Sequence, residues 1–186
     1  MRVPGSDYKS PLYAVGGVSG LTFLDSIIYV VCEESSVIRL YNTDTCSPLD
    51  VVINVDGMRD PRDIVVCRHD RQLYVADWPD SIWLVSVDGH SYVKWLTSGS
   101  TTDIFPVAKL SVTSRRLLVT SPRSLHQYNT TSGQVLRVDM PRHVQFVYHS
   151  VEARRNTFVI SHRGTSLDER QDAVSHTCAK LLYCRI

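Results

Sequence analysis

Four versions of one strand recur along the chain: Ile28-Tyr29-Val30, Leu73-Tyr74-Val75, Leu117-Leu118-Val119 and Thr157-Phe158-Val159. Their centres lie 45, 44 and 40 residues apart. Such a period restricts the fold to repeat architectures, in which each unit buries its faces against its neighbours. Another apolar strand and a polar turn precede each copy. The turns hold Asp25-Ser26, His69-Asp70-Arg71, Ser114-Arg115 and Ala153-Arg154-Arg155. The first three copies lead into a third strand (Val37–Tyr41, Ile82–Val87, Leu125–Tyr128) and a fourth (Val51–Val55, Tyr92–Leu96, Val135–Val138). Hairpin chemistry joins these last two: Asn42-Thr43-Asp44, Asp88-Gly89 and Asn129-Thr130-Thr131-Ser132-Gly133. Four short strands at this spacing predict a blade of a β-propeller.

The fold expected is therefore all-β, with about three complete four-stranded antiparallel blades and a partial one. The blades run over residues 18–57, 58–98, 99–140 and 141–162. Residues 1–17 read as the end of a preceding blade or a loop, and 163–186 as an irregular tail without the turn residues of the other units. Neither end supplies an obvious closing strand, which favours part of a larger ring. Innermost strands such as Ile64-Val65-Val66-Cys67 are continuously apolar, as if packed on both faces. Outer strands such as Val93-Lys94-Trp95-Leu96 alternate, as if one face were wet.

Charge and cysteine content narrow the setting. A net charge of +1 offers no global attraction to nucleic acid or to an anionic membrane. No apolar run approaches the ~20 residues that span a bilayer, and MRVPGSDYKSPLY has no apolar core of a secretory signal. The five cysteines (Cys32, Cys46, Cys67, Cys178, Cys184) are odd in number and match no disulfide or metal framework. A reducing, cytoplasmic location is the expectation.

The blade openings carry a family likeness. Pro61-Arg62-Asp63-Ile64-Val65-Val66 resembles the opening of NHL repeats, and Leu73-Tyr74-Val75-Ala76-Asp77 resembles the second strand that follows it there. Ile82-Trp83-Leu84-Val85 stands at the family's third strand. Pro141-Arg142-His143-Val144 repeats the opening, and Pro106-Val107-Ala108 looks like a decayed copy. The likeness covers about Val18 to Ile160 and is closest in the second blade. It implies a TolB-like, six-bladed ring. LYVADWPDSIWLVSVDG also resembles the core of YWTD-type propellers, which imply the same ring size but belong to disulfide-linked, secreted receptors.

Propellers of this kind bind partners on the face made by loops that enter the inner strands and link second to third strands. Here those loops carry Arg59, Arg62, Asp63, Trp78, Arg123, Arg142 and His143, with His162 and Arg163 nearby. Arginines around an aromatic anchor suit a protein or peptide partner. The same Arg62, Asp63 and Arg142 are equally suited to local ion pairs that fix loops, and Trp78 to edge packing. A single-stranded RNA partner is the alternative, held by Arg59, Arg62, Arg123, Arg142 and Arg163. A metal-dependent lactonase or hydrolase is a third class, but the inner strands offer mainly Leu21, Phe23, Val65, Ala108, Leu110, Phe146 and Tyr148, which are poor ligands for a hard ion. There is no G-x-S-x-G, P-loop, dinucleotide fingerprint or HExxH. The sequence thus points to a non-enzymatic scaffold with no catalytic residue, metal or cofactor.

Overall fold

The structure, a computed structural model, describes residues 16–97, 106–107, 109–113, 115–121, 124–138, 144–154, 157–164 and 180–185. Among the described residues there is no helix, and the strands form four antiparallel sheets. The first holds β1 (Val18–Leu24), β2 (Ile27–Cys32), β3 (Val37–Asn42) and β4 (Pro48–Asn54). The second holds β5 (Pro61–Cys67), β6 (Gln72–Asp77), β7 (Ser81–Ser86) and β8 (Tyr92–Thr97). The third holds β9 (Lys109–Thr113), β10 (Arg116–Thr120), β11 (Leu125–Asn129) and β12 (Val135–Val138). The fourth is three-stranded: β13 (Val144–Arg154), β14 (Thr157–Gly164) and β15 (Lys180–Arg185). Strands follow one another in chain order within every sheet, and β1, β5, β9 and β13 pack side by side. This is the blade plan of a β-propeller with the first strand of each blade innermost.

The last sheet departs from the sequence reading. Residues 163–186 were expected to be irregular, yet Lys180–Arg185 pairs with Thr157–His162. No hairpin turn announces β15, because the connection from β14 spans residues 165–179 rather than a two-residue turn.

Burial follows the expectation at the innermost strand β5, where Ile64 and Val66 join one core and Cys67 and Val65 the other, and it extends to the second and third strands. Leu73 and Val75 of β6, with Trp83 and Val85 of β7, join Tyr29, Val31, Ile38 and Ile64 in the core between the first two blades. The alternate residues Tyr74, Ala76 and Ile82 join Leu110, Leu117 and Val119 in the core between the second and third. Leu118 and Leu125 then meet Val147 and Ile160 of the fourth sheet. Side chains alternate across a strand, so a strand between two blades must be apolar at every position. The inner strands β1 and β13 instead leave Leu21, Phe23 and Tyr148 exposed. Outer strands β4, β8 and β12 are largely exposed on both faces rather than alternately buried as expected.

Two glycines allow the close fit. At Gly20 of β1 a Cβ would lie 2.9 Å from both Asp63 Cα and Ile64 N, so β1 and β5 approach backbone to backbone only because the side chain is missing. Gly89, in the β7–β8 hairpin, has φ +76° and abuts Ile53 of the first blade. An edge-to-face aromatic series, Tyr74–Trp95–Tyr128, links the second and third blades with centroids 5.2 Å apart at each step.

Candidate functional site

The loop face is organised by Asp77, the last residue of β6. Its side chain is 4% exposed, and a carboxylate so placed requires several donors. It accepts the main-chain N–H of Arg59 at 3.0 Å and of Asp60 at 2.7 Å, the Trp83 indole Nε1–H at 3.0 Å and the Ser81 hydroxyl at 3.4 Å. The loop entering β5 is thereby tied to the turn leaving β6. Trp78 N–H completes the tie by donating to Asp60 O at 2.9 Å. The peptide between Trp78 and Pro79 is cis. With its main chain held this way, Trp78 stands 43% exposed at the surface.

Beside it, Arg62 bridges two blades. Its guanidinium donates to Glu33 of the first blade at 2.8 Å and to Asp60 at 2.5 Å. Asp63 is only 8% exposed and faces the third blade. It accepts Leu110 N–H at 2.8 Å and lies 3.6 Å from Lys109 Nζ. Lys109 also reaches Ser19 O at 3.4 Å and Arg62 O at 3.3 Å, so one ammonium touches three blades. The Ser19 hydroxyl donates to Pro61 O. Val18, Ser19, Glu33, Arg62, Trp78, Val107 and Lys109 together line a cavity of about 410 Å³. Lys109 also lines a trough along the inner strands, walled by Leu21, Phe23 and Val65.

The expected site residues separate accordingly. Arg62 and Trp78 line the cavity, and Arg59 lies exposed on the neighbouring loop. Asp63 sits beneath the rim and fastens β5 to β9. Arg123, Arg142 and His143 lie outside the described residues, and of His162 and Arg163 only the backbone is described. Glu33, Ser19 and Lys109 were missed. Lys109 did leave a signal in the sequence: a lone lysine within the apolar run Val107-Ala108-Lys109-Leu110.

The site is not strongly basic. Arg62 and Lys109 are interleaved with Glu33, Asp60 and Asp63, all within 4 Å of one cation or the other. Among the described residues, no group of three His, Cys, Asp or Glu side chains could hold a metal ion. No described helix is long and apolar enough to cross a membrane.

No protein-family model matches the sequence, and no curated protein matches it. Solved structures do share the fold. A chain in the crystal structure of a nidogen/laminin complex is similar with a TM-score of 0.66 and 16% identity, over 81% of this chain and 57% of that one. The β-propeller domain of Cps50 (Swd1) from Myceliophteria thermophila is similar with a TM-score of 0.59 and 9% identity, over 79% of this chain and 49% of that one. The chain thus spans about half the length of these structures. The fold is a β-propeller. At these identities the likeness extends to the fold alone.

Proposed function

We propose that the chain is a non-enzymatic interaction scaffold whose loop face takes a protein or peptide partner. Trp78 carries this reading. It is a large aromatic side chain held out into solvent by a buried, fully engaged carboxylate, next to a cavity rimmed by Arg62, Lys109 and Glu33. Rigid tryptophan and arginine anchors are the residues that dominate binding energy at protein interfaces. A partner would seat an apolar side chain against Trp78 and Val107 and exchange hydrogen bonds with the mixed-charge rim. That mixture of signs favours a peptide over the phosphate backbone of single-stranded RNA, which needs an uninterrupted cationic track. The nidogen/laminin structure is a complex of two proteins, which supports the same class of role. The NHL-like assignment within propellers is proposed on the residues of the second blade.

The test is a selection of phage-displayed peptides on the purified chain, repeated on Trp78→Ala. Enriched peptides should bind the parent chain and lose at least tenfold in affinity on Trp78→Ala, while thermal stability stays unchanged. Absence of any enriched peptide whose binding depends on Trp78 would overturn the assignment of this face.

A further inference from the structure

The opposite mouth of the trough has a different character. The hairpins joining β5 to β6 and β9 to β10 meet there around a cleft of about 560 Å³. Its floor is aliphatic, formed by Val66 and Val112, and its rim carries Arg68, His69, Arg115 and Arg116. Among the described residues, no carboxylate lines it. Asp70, next to the rim residue His69 at 3.8 Å, accepts from the Cys67 thiol at 3.3 Å and the Thr130 hydroxyl at 3.0 Å. Its neighbour Arg71 pairs instead with Asp25 at 3.0 Å. Three guanidinium groups thus converge on one concave, partly apolar surface in a chain whose net charge is only +1.

The guanidinium of one arginine and the backbone of another are positioned in advance. Arg68 stacks over the Phe23 ring, 5.0 Å from its centroid. The backbone of Arg115 is pinned by Thr130, whose N–H donates to Arg115 O at 2.8 Å. The Arg115 side chain is exposed and forms no ion pair among the described residues. Arginine forks held this way match carboxylates in bidentate geometry.

We propose that this cleft is a second binding site, for an acidic peptide segment that presents one aliphatic side chain between carboxylates. The aliphatic group would rest on Val66 and Val112, with flanking Asp or Glu side chains on Arg68, Arg115 and Arg116. A nucleic-acid strand fits less well, because base stacking needs an open aromatic face. Of the rings at the cleft among the described residues, Phe23 already has Arg68 stacked over it and the His69 imidazole lies 3.8 Å from the Asp70 carboxylate. This site lies on the face away from Trp78 and does not depend on the role proposed for that residue.

The experiment uses fluorescence polarisation with the whole chain and three probes: a labelled Glu-Asp-Leu-Asp-Glu peptide, the same length with lysine in place of every acid, and a single-stranded oligouridine. The acidic peptide should bind saturably at low salt and weaken as salt rises, and the lysine peptide should not bind. Arg115→Glu should weaken the acidic peptide at least tenfold, with Arg115→Gln intermediate, and Trp78→Ala should leave it unchanged. Absence of saturable binding to the acidic peptide at low salt overturns the proposal. So does unaltered binding by folded Arg115→Gln, or tighter binding of oligouridine than of the peptide.

Discussion

Replacing Asp77 by alanine tests whether the loop face is built as described. The substitution removes an acceptor serving the N–H groups of Arg59 and Asp60 and the Trp83 indole. Arg59 is exposed, so water can re-engage the loop amides. Trp83 is buried, and its Nε1–H is left without a partner, at a cost of about 1–3 kcal/mol. Loss of the charge-assisted loop bonds adds about 1–2 kcal/mol after rehydration. Asp77→Ala should therefore cost about 2–5 kcal/mol. With a urea m-value of about 2 kcal/mol/M, the unfolding midpoint falls by roughly 1–2.5 M at constant m. Asp77→Asn keeps one acceptor but turns an amide donor toward either the loop or the indole, so it should cost about half as much. The cycle with Trp83→Phe isolates the indole bond and should show a coupling of at least about 1 kcal/mol. A loss below about 1 kcal/mol in Asp77→Ala, or no coupling to Trp83, would refute this account of how Trp78 is displayed.

Gly20→Ala forces a methyl group to 2.9 Å from the backbone of β5 and should destabilise by about 1–3 kcal/mol in the same urea assay. Arg62→Ala removes two ion pairs, but Arg62 and Glu33 are both substantially exposed, so the loss should stay below about 1 kcal/mol and shrink further in salt. Burial pushes the Tyr74 phenol well above its ordinary value of 10.0, so the folded chain holds a proton that the unfolded chain releases. Stability is then full below pH 10 and falls as pH rises beyond it, by up to about 1.4 kcal/mol per pH unit for this group. Tyr74→Phe should flatten the alkaline limb of a melting-temperature profile between pH 9.5 and 11. An unchanged slope would count against the burial.

Much of the fold was legible because propeller blades repeat. The second blade could be read almost strand by strand, since Asp77-Trp78-Pro79-Asp80 and Asp88-Gly89 mark its turns and Leu73-Tyr74-Val75-Ala76 is apolar throughout. The double burial expected of Ile64-Val65-Val66-Cys67 holds in β5, which lies between two blades, whereas β1 leaves Leu21 and Phe23 exposed. β15 was missed because a 15-residue connection replaces the hairpin. The cavity beside Trp78 was half legible. Trp78 and Arg62 stand in recognisable loops, whereas Glu33 and Lys109 come from other blades and are joined to them only by packing. Sequence also cannot tell whether an acid at a strand mouth faces solvent or a neighbour's amide, which is why Asp63 was expected on the rim and lies below it.

The alternation along β6 carries a lesson about how such a chain can change. Leu73 and Val75 answer to one neighbour, Tyr74 and Ala76 to the other, so a single strand holds two interleaved messages addressed in opposite directions. A substitution at an odd position is corrected by a change in the preceding blade, and one at an even position by a change in the following blade. Drift within either register leaves the other untouched. A blade copied whole carries both messages with it and meets a compatible reader on each side. Lengthening by duplication is therefore easier for this architecture than altering one blade in isolation.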